Sequence, residues 1–87
     1  MKFPRTDETY RPTEFWEWVR ERNGKIVYYN NFYGMHGGLG VVFVDGKYIA
    51  VHEYEGDLTV LKITSSKKRA MKEILDLMKE QEKLEMG

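Results

Sequence analysis

The chain has 87 residues, 41% hydrophobic and 32% charged, and its fourteen basic and fourteen acidic side chains cancel to zero. A chain of this length can bury one core and not two, its composition is too apolar for disorder, and its neutral balance gives no global field toward nucleic acid or anionic lipid. The absence of cysteine excludes disulfides, thiol nucleophiles and thiolate zinc sites, two histidines are too few for most transition-metal sites, and no apolar run approaches the ~18 residues of a membrane span.

Charge is even along the chain as well: residues 1–24 carry five of each sign, 25–64 three basic and four acidic, and 65–87 six basic and five acidic. Residues 1–12, MKFPRTDETYRP, hold two prolines, little periodicity and no apolar core of a secretory signal, so they read as an extended arm of a cytoplasmic protein. Phe3 and Tyr10 are the side chains that could tie this arm to a sheet.

The domain proper is expected over 13–82. Thr13, after Pro12, is placed to cap a first helix that ends at Asn23-Gly24, with Phe15, Trp18, Val19 and Arg22 as its inward stripe and Trp16 beside it. Both tryptophans read as core anchors. Lys25 to Tyr33, KIVYYNNFY, is β-branched and aromatic and reads as a strand; Gly34 to Gly40, GMHGGLG, reads as a loop.

Val41 to Tyr54, VVFVDGKYIAVHEY, is a hairpin about Asp45-Gly46. A type I′ turn there pairs Val44 with Lys47, Phe43 with Tyr48, Val42 with Ile49 and Val41 with Ala50. Val42, Val44, Ile49 and Val51 then share an aliphatic face, and Val41, Phe43, Tyr48, Ala50, His52 and Tyr54 share an aromatic one. Glu55-Gly56-Asp57 is a second turn. Leu58 to Thr64 is a fourth strand, with Leu58, Val60 and Lys62 on one side and Thr59, Leu61 and Ile63 on the other. Ser65 or Ser66 caps a long second helix whose stripe is Ala70, Met71, Ile74, Leu75, Leu77 and Met78. Residues 83–87 read as a frayed tail.

The expected fold is therefore α+β in the order α-β-β-β-β-α: a four-stranded antiparallel meander, with both helices packed mainly on the face of Val42, Val44, Ile49 and Val51. The aromatic face is left to the arm or to a partner.

For catalysis the inventory is thin. Both serines look like caps, and His36 and His52 have no carboxylate partner by spacing, although Glu53 and Asp57 could lie near His52. No catalytic residue, cofactor or metal ligand is assigned. The expected role is non-catalytic: a small regulator or inhibitor that docks on a larger protein, a kind frequent among phage and mobile-element products of this size. Met35, His36 and Leu39 of the glycine-rich stretch, with Phe43, Tyr48 and Tyr54 of the aromatic face, are its expected contact residues, because exposed apolar and aromatic patches mark interfaces. The same patch would also serve a homodimer.

Two other functions have a basis in the second helix. Lys67, Lys68, Arg69 and Lys72 crowd its positive N-terminal end, an arrangement poor for stability and good for holding an anion. Ser66 to Lys72, SKKRAMK, resembles the Ser-Lys-Lys-x-Ala-Lys run that opens the last helix of double-stranded RNA-binding domains, and Gly34-Met35-His36 stands where those domains carry a Gly-Pro-x-His loop. The resemblance implies an α-β-β-β-α fold and a nucleic-acid partner whose phosphates those cations grip; the proline is absent here and the third lysine falls one place late. The other function is capture of a small phosphorylated ligand between the glycine-rich loop and that helix end.

Overall fold

The computed structural model describes residues 1–86. Its elements are β1 (Thr9–Tyr10), α1 (Pro12–Glu21), β2 (Lys25–Asn30), a single 3₁₀ turn (Gly34–His36), β3 (Gly37–Val44), β4 (Lys47–Tyr54), β5 (Asp57–Thr64) and α2 (Lys67–Met86). All five strands lie in one antiparallel sheet, in the order β1-β5-β4-β3-β2. No helix among the described residues is long and apolar enough to cross a membrane.

The hairpin is the part the turn chemistry dictates. Asp45 and Gly46 take φ of 50° and 80°, and the register runs Val44–Lys47, Phe43–Tyr48, Val42–Ile49, Val41–Ala50, as expected of a type I′ turn. Glu55 and Gly56 repeat the same geometry, φ 52° and 85°, between β4 and β5.

The expectation of four strands is corrected to five. Part of the arm forms β1, with Thr9 opposite Thr59 and Tyr10 opposite Leu58, so the order is β-α-β-β-β-β-α. That order also departs from the α-β-β-β-α arrangement of double-stranded RNA-binding domains. Helix α1 begins two residues earlier than expected, with Pro12 at its first position and Arg11, not Thr13, as an N-cap that makes no side-chain bond; proline's fixed φ suits that position. It closes by a Schellman pair, Asn23 N–H to Arg20 O (3.0 Å) and Gly24 N–H to Val19 O (2.8 Å), in which Asn23 rather than glycine takes the left-handed conformation.

The larger correction concerns the helices, which lie on opposite faces. Phe15, Trp18 and Val19 of α1 pack with Val42, Val44, Ile49, Val51, Leu58 and Val60. Ala70 and Ile74 of α2 pack with Leu39, Val41 and Ala50 on the other side. The result is three layers, helix on sheet on helix. Ala50 and Ala70, both fully buried, let α2 approach the sheet closely, while Tyr28, Phe32, Tyr33 and Tyr48 ring the contact. The aromatic face is thus covered by α2 and not by the arm. The arm lies instead on the α1 side, where the Phe3 ring meets Trp18 edge-on at 5.2 Å and Tyr10 packs on the core.

Two bulges reset the side-chain parity of the outer strands. Leu61 is the extra residue of β5, so Leu58, Val60 and Ile63 face α1 while Leu61 packs on the α2 side. Val27 is the extra residue of β2. Arg22, expected to point inward, is exposed; its Nη1 donates to Asp45 Oδ2 at 2.9 Å and its guanidinium lies 5.8 Å from the centre of the Trp18 ring. In α2, Leu75 turns outward and the helix runs to Met86, across the stretch expected to be a frayed tail; Gly87 lies outside the described residues.

Candidate protein-docking site

The stretch expected to be a glycine-rich loop is mostly strand. Only Gly34, Met35 and His36 form a turn; Gly37 to Gly40 open β3. The glycines are there for close approach between strands. A Cβ on Gly38 would stand 2.1 Å from the Asn30 carbonyl oxygen, and one on Gly40 would stand 2.8 Å from both the Tyr28 carbonyl oxygen and the Tyr29 ring. Leu39 between them is fully buried.

The 3₁₀ turn itself is held from both sides. Gly34 N–H donates to Asn31 O (2.9 Å), His36 N–H to Tyr33 O (3.2 Å), Tyr33 N–H to Gly37 O (3.1 Å), and Glu55 N–H to His36 O (2.9 Å). Behind it lies a cluster of rings. Tyr33 is 5.3 Å from Phe32, 5.3 Å from His52 and 5.1 Å from Tyr54, and His36 stands 6.0 Å from Tyr54. Two polar contacts fix the ring directions: Tyr33 Oη to His52 Nε2 at 3.1 Å, and His36 Nδ1 to Glu55 Oε1 at 2.7 Å. Burial holds the His52 imidazole below its ordinary pKa, which favours the neutral ring. At the apex stands Met35, 96% exposed, beside exposed His36 and Tyr54.

Of the six expected contact residues, the fold brings together Met35, His36 and Tyr54. Leu39 is removed to the core. Phe43 and Tyr48, half-buried and in mutual ring contact at 4.6 Å, lie six residues along β4 from Tyr54, about 20 Å away at ~3.3 Å per residue. The shared face is right, and the position along it is not.

The basic residues stand apart from this corner. Helix α2 starts beyond Thr64, which pairs with Tyr48, whereas the 3₁₀ turn adjoins Gly37, which pairs with Tyr54. The two ends are therefore also about 20 Å apart along β4, and a small phosphorylated ligand cannot be clasped between them. Lys67, Lys68 and Arg69 are exposed, and Ser66 Oγ caps the helix by accepting from the Arg69 N–H at 3.2 Å. Lys72 donates to Asp76 at 2.7 Å; that contact raises the lysine pKa and lowers the aspartate's.

On the opposite face lies Glu53, which the sequence suggested only as a neighbour of His52. Its carboxylate does not approach His52; it accepts from the Trp16 indole N–H at 3.1 Å and from the Tyr29 hydroxyl at 3.5 Å, under α1. Burial, and then the Glu53 charge, raise the Tyr29 pKa. The signal available was Trp16, an aromatic one position off the helix stripe. Among the described residues no group of three or more His, Cys, Asp or Glu side chains is arranged to hold a metal ion. Comparison with protein families, with curated proteins and with solved structures gives no match to this chain.

Proposed function

We propose that this protein is a non-catalytic binding domain, a small regulator or inhibitor that docks on a larger protein through the corner of Met35, His36 and Tyr54. The observation that carries the reading is Met35: a long apolar side chain, 96% exposed, at the apex of a turn clamped by backbone hydrogen bonds and backed by aromatic rings. A thioether on a rigid platform is an adaptable contact that costs little loop ordering on binding. Tyr54 beside it supplies the aromatic component common at the centres of such interfaces.

The test is affinity capture from an extract of the cells that encode the protein, with and without nuclease, followed by calorimetry on the captured protein. Met35→Asp and Tyr54→Ala should each weaken binding by ~2 kcal/mol or more, the scale of an interface hot spot. Phe43→Ala, at the far end of the hairpin, should not. Unchanged affinity in Met35→Asp overturns the site, and capture that nuclease abolishes overturns the class of partner in favour of phosphate binding at Lys67, Lys68 and Arg69.

A further inference from the structure

The two faces of the sheet are not covered to the same extent. On the α1 side the core draws its strand residues from β3, β4 and β5 and none from β2. Ile26, which the register puts opposite Val42 on this same face, is left 60% exposed. Between it and the helix opens a cleft of about 690 Å³, floored by Ile26 and walled by Trp16 and Val19. The wall is fixed, because the Trp16 indole is bonded to Glu53 and meets the Tyr29 ring edge-on at 6.0 Å.

Three further features act at this place. First, β2 is the outer strand of the sheet, six residues long against the two of β1 at the other border, so its outer backbone edge faces no strand among the described residues. Second, with Val27 bulged out, Val27 and Tyr28 both pack on the α2 side, and Ile26 and Tyr29 line the cleft side without an intervening residue facing it. Third, the charge has one sign. Arg20 and Lys25 border the cleft, no carboxylate does, and neither cation has an ion-pair partner among the described residues; the next cation, Arg22, is occupied by Asp45.

We infer that the cleft and the β2 edge form a second docking site, one that takes an extended acidic segment of another protein. The segment adds a strand to β2, lays one apolar side chain against Ile26, Val19 and Trp16, and brings its carboxylates to Arg20 and Lys25. A second copy of this chain suits the site poorly: its own β2, KIVYYN, would bring lysine and no acid to a positive cleft.

The experiment is fluorescence anisotropy of the full chain with a labelled peptide of about eight alternating glutamate and valine residues, long enough to pair along β2. The expected result is saturable binding that weakens as salt rises, with protection of β2 amides against hydrogen exchange. Ile26→Asp should weaken it at least about tenfold, as loss of a central apolar contact does. Arg20→Glu with Lys25→Glu should reverse the preference, so that an alternating lysine and valine peptide binds better. All three residues are exposed, and circular dichroism checks that the variants fold. No saturable binding up to about 1 mM, the weak end of specific affinity, overturns the inference. So does equal binding of the glutamate and lysine peptides by the parent protein. A dimer seen in sedimentation and lost in Ile26→Asp also overturns it, by giving the cleft to a second copy.

Discussion

Replacing Leu39 by aspartate should unfold this protein, whereas the same replacement at Met35, four residues earlier, should leave it folded. Leu39 is fully buried among Val41, Ala50, Ala70 and Ile74. Removing its side chain forfeits about 2–3 kcal/mol of burial, and placing a carboxylate in the same apolar site adds several kcal/mol more. A domain of this size holds about 4–13 kcal/mol in total, at ~0.05–0.15 kcal/mol per residue. The aspartate variant therefore spends most or all of the margin. Leu39→Ala is the graded version, at about 2–5 kcal/mol, and at ~4–8 °C per kcal/mol its melting temperature should fall by about 10 °C or more. Met35→Asp, on a side chain that touches solvent nearly all round, should stay within about 0.5 kcal/mol of the parent. Thermal unfolding followed by circular dichroism reads all three. Cooperative unfolding of Leu39→Asp at the parent temperature would refute the placement of β3 and restore GMHGGLG as a loop.

Gly46→Val should destabilise by about 1–3 kcal/mol, since a β-branched residue is forced to the φ of 80° that the turn requires; an unchanged urea midpoint would count against the type I′ turn. Stability should also fall as the pH drops below about 6.5, because His52 binds a proton more readily in the unfolded chain, where its pKa is near 6.5, than in its partly buried native site. That contribution is present above 6.5 and lost as the pH drops through the depressed native value. His52→Gln, which cannot titrate, should show a flatter pH dependence in urea unfolding, and an identical slope would show that the imidazole is not responsible.

How far the sequence specified the fold differs from element to element. The hairpin register could be read to the residue because Asp45-Gly46 permits one tight geometry and alternation does the rest. Strands β2 and β5 could be located, but their facing could not, since the bulges at Val27 and Leu61 have no marker in composition. Which face each helix covers was hidden for a different reason: both faces are apolar, so patterning ranks neither. The clue was Ala50, a small residue in an aromatic row, whose size matters only when a helix presents Ala70 to it. In the candidate docking corner, alternation told which side Tyr48 and Tyr54 share and nothing of the distance between them. The glycines of β3 were ambiguous in the same way, because a residue chosen for flexibility and one chosen for close contact are the same letter.

The pairing of Thr9 with Thr59 has a kinetic consequence. Strands β3, β4 and β5 are joined by two-residue turns, so their ladders form from neighbours in the chain at small entropic cost. The β1 contact closes a loop of fifty residues to gain a two-residue ladder, the backbone bonds from Asp7 N–H to Val60 O (2.7 Å) and from Val60 N–H to Glu8 O (3.0 Å), the hydroxyl contact at 3.0 Å between those threonines, Tyr10 on the core and the Phe3 ring on Trp18. A long loop closed for a short ladder should form late and open early, and hydrogen exchange checks this: the amides of Thr9 and Tyr10 should exchange faster than those of β4, and equal protection would refute it. The two borders of the sheet thus differ in kind: among the described residues β2 is bare along six residues, whereas β5 carries a two-residue cover that can be lost without disturbing the turns that join β3, β4 and β5.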